Sequence, residues 1–217
     1  MRQLSVRVLL IVVVYAAGVA ANQEQPRQQR PPIVQPGAPG EAPKIITADQ
    51  ATDLSKVRHT AADVAFMQGM IGHHAQALEM TALRPARSTN EQMRLLMLRI
   101  ELSQADEIKA MEGWLKTRGE ALPDPHAQHG DHAALMPGML TAEEMDRLRA
   151  VKGAEFDRLW LESMIKHHEG ALVMAERLFA TPGAGQESDI FAFASDVVDD
   201  QRAEIERMAV MLKELQQ

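Results

Sequence analysis

The chain contains no cysteine among its 217 residues. Disulfide bonds and thiolate metal sites are therefore excluded, and so is a lipid anchor attached to an N-terminal cysteine. Aromatic residues make up only 4% of the chain, and runs of β-branched residues are few outside the N-terminus. A β-sheet core is not expected, because strands are rich in both kinds of residue.

Positive charge is also scarce, with 23 lysines and arginines against 30 acidic residues. A surface of this sign does not favour nucleic acid, whose phosphates require a basic patch. The sequence has no His-Glu-x-x-His, no nucleophile elbow and no phosphate loop, so no common catalytic motif is present. Methionine, in contrast, is abundant, with 14 copies.

The first 21 residues have the features of a secretory signal peptide. Arg2 and Arg7 form a basic start, residues 8–14 are apolar, and residues 19–21 are small enough for a cleavage site. The apolar stretch is too short to span a bilayer comfortably. We therefore predict a periplasmic or secreted protein without stable membrane insertion after cleavage; an uncleaved N-terminal anchor is the alternative.

Residues 22–56 differ in composition from the rest of the chain. Residues 22–47 hold six prolines and five glutamines with almost no large apolar side chain. Such a segment cannot bury a core, and it predicts a flexible tether. The folded domain is then expected to cover residues 57–217.

This domain contains an internal duplication. Residues 63–80 align without gaps on residues 157–174, and residues 104–111 recur at 201–208 in the same order. The two halves, 57–118 and 142–215, therefore carry the same two elements. A longer crossover at 119–141 joins them.

Apolar residues at three- and four-residue spacing predict that these elements are helices. We expect helices at 60–83, 89–118, 142–178 with a break near Gly153, and 188–215. The expected helix starts are three capping boxes and one serine cap, namely Thr60 with Asp63, Ser88 with Glu91, Thr141 with Glu144, and Ser188. The predicted fold class is all-α, with two copies of a helical hairpin forming a four-helix bundle.

The most informative motif is Met-Ile-x-His-His, which occurs once in each half. In each copy the thioether and both imidazoles fall on one face of the helix. These neutral donors suit copper, Cu(I) in particular, better than magnesium or calcium. The predicted copper ligands are both copies of the motif, supported by three further methionines: Met70, His73, His74, Met164, His167 and His168, with Met67, Met80 and Met174.

The crossover carries a second group of candidate ligands. Three histidines and two methionines occur within fourteen residues, among proline and glycine, where core packing does not account for them: His126, His129, His132, Met136 and Met139. We predict an auxiliary, more exposed copper site in this loop. A merely polar loop is the alternative.

A structural role for the helical motif is also open at this point. Methionine at helical spacing usually fills a core. Glu107 and Glu204, with Gln104 and Gln201, could hydrogen-bond the imidazoles without any metal, or could orient them as ligands. The alternative function is a metal-free helical interaction module of the cell envelope, and a metal-dependent oxidase is a weaker third possibility.

The doubled motif and the turn Met136-Pro-Gly-Met139 resemble the domain of unknown function 305 family over roughly residues 57–215. The resemblance implies a ferritin-like architecture, export, and a role in copper binding or tolerance, as in a periplasmic copper-binding member of that family. We expect a non-enzymatic protein that buffers or carries copper ions. Other copper-handling proteins of the envelope are candidate partners.

Overall fold

The computed structural model describes residues 33–35, 43–52, 57–123 and 135–215. The predicted signal peptide, residues 1–21, and the crossover histidines His126, His129 and His132 lie outside the described residues. Within the described ranges, no helix is both long enough and apolar enough to cross a membrane.

Two short strands and a short helix precede the helical domain. Strand β1 (Ile33–Gln35) pairs antiparallel with β2 (Lys44–Ile46), and helix α1 (Ala48–Thr52) follows without any buried residue. These elements fall within the segment predicted to be a tether. They belong to a compact unit that ends at Asp53, and a second unit begins at Leu54.

The second unit is entirely helical where the structure describes it, which confirms the predicted fold class. The long helices match the predicted ranges closely, and the expected break near Gly153 separates α5 from α6. The helices are α2 (Ala61–Ala82), α3 (Arg84–Arg87), α4 (Glu91–Arg118), α5 (Ala142–Ala150), α6 (Gly153–Ala180) and α7 (Ser188–Glu214).

Two of the predicted capping boxes are present. At the start of α2, the Thr60 side chain accepts from the backbone N–H of Asp63, and the Asp63 carboxylate accepts from the backbone N–H of Thr60. Thr141 and Glu144 make the same reciprocal pair at α5. Each box satisfies two backbone donors that the helix itself leaves unpaired.

The other two predicted caps are wrong. Helix α4 is capped by Asn90, whose side-chain oxygen accepts from the backbone N–H groups of Gln92 and Met93. Ser88 lies too far upstream, and its hydroxyl accepts from the N–H of Asn90 instead. Ser188 is the first residue of α7, after Glu187, and no side chain caps that helix. Sequence spacing alone predicts Ser88 and Ser188 as the caps of these two helices.

The hairpins pack within and between the halves. Helix α2 lies against α4, α6 lies against α7, and α2 also lies against α6. Asp63 of α2 accepts from the backbone N–H of Gly185 at 2.7 Å, and the equivalent Asp157 of α6 is hydrogen-bonded by Ser88. Each half therefore donates one hydrogen bond to the equivalent aspartate of the other half, from a backbone N–H in one case and from a serine side chain in the other.

The apolar core consists of two clusters at opposite ends of the bundle. The Trp160 cluster joins the C-terminal half of α2 to the N-terminal halves of α4 and α6, and includes Met80, Met93, Met97, Ile100, Phe156, Trp160 and Met164. The Trp114 cluster joins the opposite halves of the same helices to α7, and includes Phe66, Met67, Met70, Met111, Trp114 and Ile190. The middle turns of the four long helices lie between them.

Candidate metal centre

Polar side chains from all four long helices occupy these middle turns and form what we term the polar layer. Each helix contributes two members: His73 and His74 from α2, Gln104 and Glu107 from α4, His167 and His168 from α6, and Gln201 and Glu204 from α7. All four histidines have no exposed surface. The sequence did not tell which histidine of each pair points inward, and the structure shows that both do.

The second histidine of each pair is hydrogen-bonded to a glutamate. Nε2 of His74 lies 2.5 Å from Oε2 of Glu107, and Nε2 of His168 lies 2.7 Å from Oε2 of Glu204. Because an ionised carboxylate can only accept, Nε2 is the protonated nitrogen of these rings. Ser103 also donates to Glu107 at 3.0 Å, which helps to fix the carboxylate against its imidazole.

The first histidine of each pair is bonded to a backbone carbonyl. His73 Nε2 lies 2.9 Å from the carbonyl oxygen of Pro137, and His167 Nε2 lies 2.9 Å from the carbonyl oxygen of His73. Carbonyl oxygens are acceptors, so Nε2 carries the proton here as well. The two rings lie side by side, with their centroids 3.8 Å apart.

These two rings are neutral at physiological pH. Burial, together with the neighbouring His74, lowers the pKa of His73 from 6.5 to about 3. Burial also lowers the pKa of His167 well below its usual value, and the nearby His73 adds to the effect. A neutral ring that is protonated on Nε2 keeps a free lone pair on Nδ1.

None of the four Nδ1 atoms has a hydrogen-bond partner, although all are buried. The side-chain oxygens of Gln104 and Gln201 are unpartnered in the same layer. Buried polar atoms without partners are rare in folded proteins, and each costs about 1–3 kcal/mol. The layer therefore holds four buried ring nitrogens that the protein leaves unsatisfied, with the opposite nitrogen of each ring fixed by a hydrogen bond. Metal-binding histidines are typically held in this way.

The predicted methionine ligands lie on both sides of this layer. Met70 and Met67 belong to the Trp114 cluster, whereas Met164 and Met80 belong to the Trp160 cluster. Sequence analysis placed Met70 and Met164 equivalently on their own helices, which is correct. Because α2 and α6 are antiparallel neighbours, the two thioethers approach the layer from opposite ends of the bundle.

The described residues contain no group of three or more histidine, aspartate or glutamate side chains arranged to hold a metal ion. Nitrogen ligands alone therefore do not complete a site. Methionine sulfur, on either side of the layer, is the remaining type of donor.

Part of the predicted crossover cluster is docked onto the bundle. Met136 and Met139 are half-buried rather than fully exposed, and a backbone hydrogen bond closes the turn between them at 3.2 Å. The side-chain amide of Gln76 donates to the carbonyl of Leu140 and accepts from its N–H. We term residues 136–140 the docked turn.

Two glycines allow the docked turn to approach α6 closely, and sequence reasoning missed the role of both. A Cβ atom added at Gly170 would lie 1.9 Å from the carbonyl oxygen of Pro137. Gly138 adopts a φ of +77°, and its Cβ would lie 2.5 Å from the carbonyl oxygen of Lys166. Gly170, two residues after the second His-His pair, was the feature of the sequence that could have indicated this close contact. This approach places the Pro137 carbonyl where His73 can donate to it.

We expect the metal-free protein to lose stability as the pH falls below about 6.5. The unfolded chain binds a proton at His73 near that pH, whereas the folded chain binds it only near pH 3. Between these values the unfolded state holds more protons, so His73 alone removes up to about 1.4 kcal/mol per pH unit. Urea unfolding at pH 7, 5.5 and 4.5 measures the loss. His73→Leu should make it shallower, and equal slopes in both proteins would contradict the assignment.

The sequence profile of DUF305, a domain of unknown function, matches residues 63–212. A DUF305 fragment from Deinococcus radiodurans is 31% identical, with a TM-score of 0.62, over 72% of this chain and 98% of that one. A DUF305 protein from Streptomyces coelicolor, a candidate secreted protein, is 30% identical, with a TM-score of 0.61, over 71% and 93%. No curated protein matches the chain.

A further similar structure is CopM in its Cu(II)-bound form, which is 25% identical with a TM-score of 0.58 over 70% of this chain and 96% of that one. CopM in its Cu(I)-bound form, 24% identical with a TM-score of 0.55, shows the likeness in fold alone. The profile match covers both copies of the His-His motif and nearly all of the four long helices. The chain therefore belongs to the DUF305 family.

Proposed function

We propose that this protein is exported and binds copper in the polar layer, where it buffers or carries the metal without catalysing a reaction. The observation that carries this proposal is the set of four buried imidazoles whose Nε2 atoms are all hydrogen-bonded and whose Nδ1 atoms are all free. The ligand atoms would then be Nδ1 of these histidines, with thioethers from Met70 and Met164.

Copper, and Cu(I) in particular, suits this set of donors. Imidazole nitrogen and thioether sulfur are neutral and soft to borderline, which favours copper over hard cations such as magnesium. Cu(I) carries a single charge, so its burial between apolar clusters costs less than that of a divalent ion. The likeness to CopM in its Cu(II)-bound form, which is 25% identical to this chain, supports copper as the metal.

Glu107 and Glu204 act as positioning residues in this proposal. Each accepts from Nε2 of one histidine, which fixes the ring orientation and leaves Nδ1 as the coordinating atom. Their charge also offsets that of a bound cation. The side chain of Glu107 is 15% exposed to solvent and that of Glu204 is 6% exposed. Both carboxylates are therefore largely shielded from water.

Copper binding should quench the fluorescence of Trp160. This indole is fully buried and lies in the same cluster as Met164, four residues later on α6, so bound copper would lie within a few ångströms of it. The measurement uses Trp114→Phe, which leaves Trp160 as the single tryptophan. We expect saturable quenching at a small whole-number ratio of copper to protein, and no response to magnesium.

Met164→Leu is the matched control, because leucine fills a similar volume without the sulfur. It should reduce the quenching while helicity, followed by circular dichroism, stays unchanged. Linear quenching that survives both Met164→Leu and His168→Ala would indicate collisions from solvent, and the proposal of a copper site in the polar layer would then be abandoned.

Export is the second part of the proposal, and it predicts cleavage near Ala21. The basic start, apolar stretch and small residues of 1–21 support it, as does the likeness to a candidate secreted protein. N-terminal sequencing of protein recovered from the periplasm should begin shortly after residue 21. Recovery of a chain that begins at Met1 would favour a membrane anchor instead.

A metal-free interaction module is the alternative function. It is favoured by the fact that the hydrogen bonds to Glu107, Glu204 and two backbone carbonyls hold the imidazoles without any metal. Under this alternative the layer only fixes the register of the four helices. Protein purified from copper-supplemented cells without bound metal, and unable to take it up, would establish the alternative. Bound copper would exclude it, and other envelope copper-handling proteins would then be the partners to test.

A further inference from the structure

Two methionines that the sequence assigned to different sites meet at the surface of the bundle. Gly69 of α2 has no side chain, and the space that a Cβ would occupy there is bordered by Met136 and Met174. Sδ of Met136 lies 3.3 Å from this position, and Cε of Met174 lies 3.5 Å from it. One thioether comes from the docked turn and the other from α6, and both side chains are half-buried.

The position of this pair is fixed by contacts that do not involve sulfur. Gln76 holds Leu140 by two hydrogen bonds, at 2.7 and 2.9 Å, and Gly170 allows the turn backbone to touch α6. The docked turn is thus held at Leu140 and at the residues that touch Gly170. Methionine has three rotatable side-chain bonds, so the two sulfur atoms can converge on a common ion without movement of the backbone.

Both side chains are half-buried. Met174 packs against the Trp114 cluster, whereas Met136 belongs to neither apolar cluster, so core packing does not account for a methionine at this position of the docked turn. Nearby, Met136 precedes Pro137, whose carbonyl accepts from the buried His73. The pair therefore lies at the outer edge of the polar layer, one helical turn from His73 on α2.

We propose that Met136 and Met174 form a second, outer site for Cu(I), separate from the polar layer. Two neutral thioethers with partial access to solvent favour a soft monovalent ion over Cu(II) and over hard cations. The outer site is weaker than the layer and exchanges its metal faster, because its ligands are flexible and partly hydrated. It extends the proposed function and rests on copper being the metal that the protein handles.

The test uses the full chain labelled with ¹³C at the methionine methyl groups, titrated with Ag(I) as a redox-stable substitute for Cu(I). The ε-methyl signals of Met136 and Met174 should shift together after the polar layer has filled, and they should saturate with one further Ag(I) per protein. Met136→Leu should abolish the response of the Met174 methyl, and Met174→Leu should abolish that of Met136. Met211→Leu, at a half-buried methionine of α7, is the matched control and should change neither response.

The proposal is overturned if the two signals do not respond, or if each still responds when the other methionine is replaced. Both leucine variants test the same pairing from opposite sides, so poor folding of one leaves the other decisive. Quenching of Trp160, followed in a parallel titration of the Trp114→Phe variant, reports on the polar layer. Shifts of the Met136 and Met174 methyl signals without quenching of Trp160 would refute the site in the polar layer and support the outer site. Quenching of Trp160 without these shifts would support the polar layer and refute the outer site.

Discussion

Replacement of both His74 and His168 with alanine is expected to weaken Cu(I) binding by more than about a hundredfold. Loss of a residue that only orients a metal ligand costs about 10- to 100-fold in affinity, and the loss of two ligands should exceed that. Deletion of residues 126–132 should weaken binding less than tenfold. The helical ligands are preorganised by buried hydrogen bonds, whereas ligands on a loop must be ordered when the metal binds. Competition with a coloured Cu(I) chelator measures both values.

Alanine at these positions also leaves Glu107 and Glu204 without their partners, which could disturb folding. His74→Gln with His168→Gln is therefore the matched pair, because the amide still donates to the carboxylate but offers no soft nitrogen. It should lose copper to the same extent while thermal unfolding changes less. If the deletion of 126–132 weakened binding more than either double variant, the principal site would have to be moved to the crossover.

Gly170→Ala is expected to destabilise the protein by about 3–5 kcal/mol, because Gly170 has the closest Cβ approach of the glycines within the described ranges. The new Cβ would lie 1.9 Å from the carbonyl oxygen of Pro137 and 2.6 Å from Cα of Gly138. Both are backbone atoms, so the docked turn must move away from α6. His73 then loses its hydrogen-bond acceptor, and the unfolding midpoint in urea should fall.

Gly113→Ala is the control, since it makes the same chemical change within another long helix. Nothing lies within 4 Å of the Cβ position at Gly113, and alanine is the better helix former by about 1 kcal/mol. This variant should therefore be slightly more stable than the natural protein. Equal stability changes at the two glycines would show that the docked turn does not lie against α6.

The sequence determined the helical character of this domain because the relevant signals are local. Apolar periodicity placed the long helices within two residues of their observed ends, and Thr60 and Thr141 marked two helix starts correctly. The duplication further predicted that both halves have the same construction, which the equivalent anchoring contacts of Asp63 and Asp157 bear out. The predicted cap of α4 was wrong because Asn90 lies nearer to the helix than Ser88, and that of α7 was wrong because Ser188 is already the first helical residue.

The sequence also identified Met-Ile-x-His-His as the unusual motif, and predicted that Glu107 and Glu204 could bond its imidazoles. Both glutamates do so. The glutamines next to them were expected to act in the same way, but their side-chain oxygens have no partner. Helical periodicity gives the face on which a side chain lies, and it does not give the distance to a group on another helix.

Only the tertiary structure decided how the two copies of the motif meet. The antiparallel packing of α2 on α6 brings the His73 and His167 rings within 3.8 Å and sends Met70 and Met164 to opposite apolar clusters. It also decided which nitrogen of each ring is free, and it placed Met136 beside Met174 across Gly69. Contacts of this kind join residues that are tens of positions apart in the chain. They depend on backbone approach and burial, which local sequence patterns do not encode.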